Sequence, residues 1–142
     1  MATSYKFYHD SALTQEITGG NPLTAIQDVA GVLGPVDKII YFGSTVTGNK
    51  AQALSNPGVD PIVVSLADSA AGSGSATSEF RLALSPITGA ETAGAALTLS
   101  ATINSGVANA VPIYTRRDTA LTVAGSYTDI SLETNSLTET PV

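Results

Sequence analysis

His9 is the one imidazole in the chain, and Asp10 follows it directly. A general base needs a partner that orients it and a nucleophile within reach. If these residues lie on a strand, alternation sends His9 and Asp10 to opposite faces. The remaining acids do not spell out a cation site. Asp60 and Asp68 flank one apolar run, and Asp118 and Asp129 lie near turns. Calcium needs about six oxygens from a loop with ligand spacing, whereas Asp in turns needs only its own backbone. The stretch Gly72-Ser73-Gly74-Ser75 lacks the Gly-Lys-Ser/Thr ending of a phosphate loop. A glycosidase pair could be drawn from the twelve carboxylates, but no spacing selects one. Without cysteine there is neither thiolate chemistry nor a disulfide staple. The expectation is a non-enzymatic protein, with no catalytic residue, no metal ligand and no cofactor.

Binding is the chemistry that remains. The net charge is −6, from six basic and twelve acidic residues. Nucleic-acid binding needs clustered Lys and Arg to neutralise phosphates, and the one basic doublet is Arg116-Arg117. With Asp118 beside it, a solvated turn or an interface salt bridge fits better than a phosphate clamp. Tyr5, Phe7 and Tyr8 place three aromatics in four residues of a chain that is only 6% aromatic. They read either as an anchor that docks into a neighbouring subunit or as a terminal strand packing on its own domain. Tyr5, Phe7, Tyr8, Arg116 and Arg117 are thus the candidate interface residues. Tyr41, Phe42, Phe80 and Tyr114 lie inside apolar runs and read as core.

These groups must be positioned by strands. From Val36 onward, short apolar runs alternate with turns rich in Gly, Pro, Asn and Ser, the pattern of an all-β sandwich or barrel. The 142 residues suffice for one domain with a proper core. Val36–Phe42 is a near-continuous apolar run, as for a strand buried on both faces. Pro61–Ala67 and Glu79–Leu84 follow as strands, with a short one at Gln52–Leu54. Ala95–Asn104 and Val111–Arg116 look like a hairpin pair, and Leu121–Ala124 and Tyr127–Leu132 close the series. Leu13–Thr18 is strand-like and ends at the turn Gly19-Gly20-Asn21-Pro22. The apolar spacing over Leu23–Val32 fits a short helix, a strand or a loop. Ala70–Ser78 is small and polar and reads as an exposed loop, dispensable for folding. Alternation assigns Ile39, Tyr41, Ile62, Val64, Phe80, Leu82, Leu97, Leu99, Ile113 and Leu132 to the core. The organisation is an N-terminal arm or edge strand (1–22), a single antiparallel β-sandwich (23–134) and a C-terminal tail (135–142).

Charged residues make up 13% of the chain, about half the usual ~25%, and Ser and Thr fill the gap. No apolar run approaches the ~18–20 residues of a membrane helix. The start Met1-Ala2-Thr3-Ser4-Tyr5-Lys6 lacks the basic-then-apolar pattern of a secretory signal, so no membrane association is expected.

This combination resembles the small virion proteins of tailed bacteriophages, and head decoration (cement) proteins above all. Two stretches carry the likeness: Asp37-Lys38-Ile39-Ile40-Tyr41-Phe42-Gly43-Ser44, and Gly94-Ala95-Ala96-Leu97-Thr98-Leu99 with Thr102-Ile103-Asn104-Ser105-Gly106. The second is similar to the late strands of many immunoglobulin-like domains. An immunoglobulin Cys pair and core Trp are missing, which argues against a true member but not against an immunoglobulin-like or jelly-roll architecture. The resemblance implies a structural protein of the virion, made in the host cytoplasm. It would bind the outside of an assembled capsid and bridge copies of the major capsid protein or other virion proteins. Such proteins act as homo-oligomers, often trimers, or as symmetric sets, and many small contacts over a closed lattice add through multivalency. A tail, collar or baseplate component, or a carbohydrate- or cell-surface-binding β-domain, are the other readings of the same features.

Overall fold

The computed structural model describes residues 3–26, 35–70, 76–117, 128 and 130–142. In chain order the strands are β1 (Lys6–Tyr8), β2 (Val36–Gly43), β3 (Asn49–Ala53), β4 (Val63–Asp68), β5 (Phe80–Ala83), β6 (Leu97–Thr98), β7 (Thr102–Asn104), β8 (Val111–Arg117), β9 (Ile130–Thr134) and β10 (Leu137–Pro141). Two single 3₁₀ turns, Thr77–Glu79 and Val107–Asn109, are the helical pieces among the described residues.

One layer is a four-stranded antiparallel sheet in the order β1-β2-β8-β5. Its register pairs Ile40 with Ile113 and Phe42 with Val111 across β2 and β8. Side chains alternate faces along each strand, so Phe7, Ile40, Phe42, Val111, Ile113 and Leu82 share the inner face. The other layer consists of two three-stranded sheets, β10-β3-β7 and β6-β4-β9. Their strands come from the same three chain segments. β3 and β4, β6 and β7, and β9 and β10 each follow one another, giving one strand to each sheet.

The two small sheets thus form one layer bent along a seam, and backbone bonds cross it. Leu54 N–H donates to the Ser136 carbonyl (2.9 Å), Leu99 N–H to the Ile62 carbonyl (2.7 Å) and Ile62 N–H to the Ser100 carbonyl (3.2 Å). Asn135 pins the bend with its side chain. Its Oδ1 accepts the Val63 N–H (3.0 Å) and its Nδ2 donates to the Pro61 carbonyl (3.1 Å).

The core joins both layers. Ile40, Phe42, Leu82 and Ile113 from the first meet Ala51, Ile62, Val64, Leu99, Ile103 and Leu137 from the second, with Tyr5 among them. Ile40, Ile62, Val64 and Ile113 are completely buried, and each such side chain contributes about 1.5–3 kcal/mol relative to an exposed one.

The sandwich and its antiparallel sheets match the expected fold class, and several local expectations need correction. Ile39 and Tyr41 are not core: Ile39 is 44% exposed and Tyr41 half-buried, while Ile40 and Phe42 point inward. Every residue from Ile39 to Phe42 is apolar, so alternation could not choose the face, and β2 is buried on one side only. Phe80, Leu97 and Leu132 are partly buried, whereas Ile62, Val64, Leu82, Leu99 and Ile113 are buried as expected. The residues 95–104 do not form one strand, because the seam divides them into β6 and β7. Nor do they form a hairpin with β8, which pairs with β2 and β5. The connection turns through Gly106 at φ 100° and the 3₁₀ turn at 107–109. A positive φ costs glycine nothing, and here it carries the chain from one layer to the other.

Residues 135–142 are not a tail. They contain β10, which pairs along β3, and Leu137 is buried. Leu13–Thr18 makes isolated bridges instead of a strand. The Asp10 carboxylate accepts the N–H groups of Thr14 and Gln15 and the Thr14 hydroxyl, and Leu13 sits at φ 54°. The end of the Ala70–Ser78 segment enters the 3₁₀ turn at 77–79, so it is not wholly loop. Residues 71–75, the helix-or-strand choice over 27–34 and the strand expected at 121–124 lie outside the described residues.

Candidate interaction surface

The outer face of the four-stranded sheet is built by the parity opposite to the core. Three cross-strand rows lie on it: Asp37, Arg116 and Arg81; Ile39, Tyr114 and Ala83; Tyr8, Tyr41 and Pro112. The first row is charged and sits at one edge. Arg116 grips Asp37 with a two-pronged bond, Nε to Oδ1 at 2.6 Å and Nη2 to Oδ2 at 2.9 Å. Such paired geometry is the strong form of an ion pair. The Arg116 hydrogen bonds hold the Asp37 carboxyl below its usual value.

Next to this row the loop after β5 stands up as a wall. The Glu91 carboxylate accepts the N–H groups of Thr88 and Gly89 and the Thr88 hydroxyl. These bonds lower its pKa to about 2. Arg81 Nε donates to the Glu91 carbonyl (2.9 Å) and Arg116 Nη2 to the Ile87 carbonyl (3.4 Å), tying the wall to the sheet. Between wall and sheet lies a hollow of about 240 Å³, lined by Ile39, Tyr114, Pro86 and Ile87 together with Asp37, Lys38 and Thr115. Leu84, 49% exposed, adjoins it in sequence. The far end of the face is covered from within the chain: Leu13 is buried, and its Cδ1 lies against Gly43, on the same side of β2 as Tyr41.

The sequence-derived interface residues do not gather into one surface. Tyr5 is buried, its hydroxyl donates to the Ile103 carbonyl (2.7 Å), and its ring lies 5.8 Å from that of Phe42. Burial, and then the charge of Glu139, push its phenol up to about 12. Phe7 packs on the other side of Phe42, with centroids 5.0 Å apart. Tyr8 is 7% exposed. An extended arm is therefore not what residues 3–8 make; they form an edge strand of the domain, anchored by its own aromatics. Arg117 is 6% exposed, bonded to Glu79 (2.9 Å) and set over the Phe80 ring at 5.8 Å. It is an inner-face residue, and Arg116 reaches the outer hollow only through its bonds to Asp37 and Ile87, which line it. His9 bonds the Asn21 carbonyl (3.0 Å), while Asp10 serves its own turn.

A second, larger cleft of about 740 Å³ opens between the layers, lined by Phe7, Ile17, Leu23, Leu66, Phe80 and Leu132 among others. Its walls end at Ile26, Val36, Arg117 and Thr128, next to residues outside the described ones. Among the described residues no three His, Cys, Asp or Glu side chains come together, and no helix is long and apolar enough to cross a membrane. Ile39, Tyr41 and Tyr114 mark the outer face, and reading them as core is what hid it. Asp37 and Arg116 share the parity of those three, but the adjacent Lys38 and Arg117 carry the opposite one, so the charges leave the face undecided in the sequence.

No family model matches the chain, and neither a curated protein nor a solved structure matches it.

Proposed function

We propose that this is a non-enzymatic structural protein of a phage virion, a decoration protein that binds the outside of an assembled capsid through the outer face of its four-stranded sheet. The observation that carries the reading is the row Ile39, Tyr114 and Ala83 beside the 240 Å³ hollow. It is an apolar strip with one tyrosine on a chain with few charges, and interface centres favour aromatics and exclude charge. A rigid sheet presents such a strip without the entropy loss of ordering a loop.

Co-sedimentation with purified phage heads that lack a decoration protein tests the reading. The wild-type chain should pellet with heads, and Ile39→Ser with Tyr114→Ser should abolish this while leaving the chain folded. Pelleting with tails and not with heads would move the protein to a tail, collar or baseplate role. The half-buried Tyr41 and Tyr114 also suit stacking on sugar rings. Binding to a glycan array that competes with neither heads nor tails would favour the carbohydrate-binding alternative.

A further inference from the structure

Among the described residues, every hydrogen-bond partner of the Glu139 carboxylate on β10 is a donor. Oε2 accepts the backbone N–H of Ser4 (2.7 Å), and Oε1 accepts the Ser4 hydroxyl (2.7 Å) and the Asn49 side-chain amide (2.9 Å). Behind Ser4, the fully buried Ser44 hydroxyl lies 2.5 Å from the Ser4 hydroxyl and accepts the Val46 N–H (3.1 Å). With Ser4 donating to Glu139, Ser44 must donate to Ser4. The chain of hydroxyls therefore points one way and ends on the carboxylate. Such a shell suits an anion, because a protonated acid would point its hydrogen at the Ser4 N–H or the Asn49 amide, or reverse the serine hydroxyls to be accepted by Ser4.

Two of the three bonds come from Ser4, two residues before β1. That strand is three residues long, lies at a sheet edge and pairs with β2. On its other side, the Phe7 carbonyl accepts the Ile17 N–H. Short edge elements open locally at lower free energy than the core.

We propose that Glu139 is an acid-sensitive clasp: ionised, it holds residues 3–8 against the end of the chain, and protonated, it lets that segment open while the rest of the sandwich stays folded. The groups that contact the carboxylate, from the N-terminal segment and from β3, are neutral. Tyr5 is the titratable group coupled to it among the described residues. Burial pushes the Glu139 carboxyl up, but the bonds from Ser4 and Asn49 outweigh it and hold the group below its ordinary value of 4.5. A carboxyl depressed in the folded form stabilises that form above its ordinary value and stops doing so as pH falls through the depressed one.

Amide hydrogen exchange by NMR, corrected for the intrinsic rate, tests this as the protection of residues 4–8 relative to Ile40 and Ile113. In the wild-type chain this ratio should fall roughly tenfold or more between about pH 6 and pH 3, the scale of losing charge-assisted hydrogen bonds. Glu139→Gln, the neutral isostere, should show the low ratio at both pH values. Should that variant not fold, Ser4→Ala is the milder probe. Losing one donor should move the midpoint of the fall up toward the ordinary carboxylate value. A wild-type ratio constant across the range, a Glu139→Gln ratio equal to wild type at pH 6, or a Ser4→Ala midpoint that stays put would each overturn the clasp.

Discussion

Ile40 and Ile113 face each other across the β2–β8 ladder, and neither has any solvent exposure. Ile39, one residue earlier, faces Tyr114 on the opposite side of the same sheet and is 44% exposed. Ile113→Ala should therefore cost about 2–5 kcal/mol, and Ile39→Ala less than about 1 kcal/mol, as for surface changes. Urea denaturation of both variants checks the pair. Equal losses would mean that the faces of β2 are assigned the wrong way round.

That pair also shows what the sequence discloses and what it withholds. Ile113 is identified by alternation alone, since Pro112 and Arg116 mark the opposite face. Ile39 and Ile40 cannot be told apart, because Ile39 to Phe42 is apolar at every position and only the partner strand breaks the tie. Residues 135–142 hide a strand for a related reason. Leu137 is the only large apolar residue of β10 itself, and β10 owes its place to pairing along β3. The Glu139 cluster, assembled from positions 4, 44, 49 and 139, leaves no local pattern to read. The sheet class and turns were legible, because turn chemistry is local. Strand partners and layer crossings were not.

Asn135, between β9 and β10, bonds the start of the β4 segment twice, through Val63 and Pro61. Asn135→Ala should lower stability by about 1–2 kcal/mol, the usual range for losing such bonds in a half-buried site. Asn135→Asp keeps an acceptor for the Val63 N–H but loses the donor to Pro61, so its loss should be smaller. Thermal denaturation of the two variants at neutral pH gives the order, and an Asp variant less stable than Ala would contradict it.

Gly94 and Gly48 both adopt positive φ, at 76° and 81°, but their surroundings differ. A Cβ at Gly94 would lie 3.3 Å from the Ser78 backbone, whereas at Gly48 it meets open space. Gly48→Ala should cost about 1 kcal/mol from backbone conformation alone, and Gly94→Ala clearly more. Comparable chemical-denaturation midpoints for the two would show that the 77–79 turn yields to the added methyl.

Asp10, Asp37, Glu91 and Glu139 all have folded-state pKa values below their ordinary ones, each with hydrogen-bond donors on its oxygens. Depressed carboxyls stabilise the fold above the ordinary carboxylate range and lose that effect as pH falls. Stability should thus be nearly constant from neutral pH down to about 5 and then decline. The Glu91 share should persist longest, toward its value of about 2. Urea midpoints against pH, for wild type and Glu91→Gln, read this out. A wild-type curve that rises on acidification would reverse the assignment.

The bent layer has a consequence for synthesis. Its middle segment, β3 and β4, is flanked on both sides by strands that leave the ribosome later, and its last partner, β10, spans Leu137–Pro141. Ladders between residues so distant in sequence form slowly, since loop closure must precede any gain from pairing. During translation one edge each of β3 and β4 stays open until residues 130–141 have emerged, so the bent layer closes late. A stop codon that removes only residues 135–142 should therefore leave a chain that collects in aggregates rather than a slightly shortened sandwich.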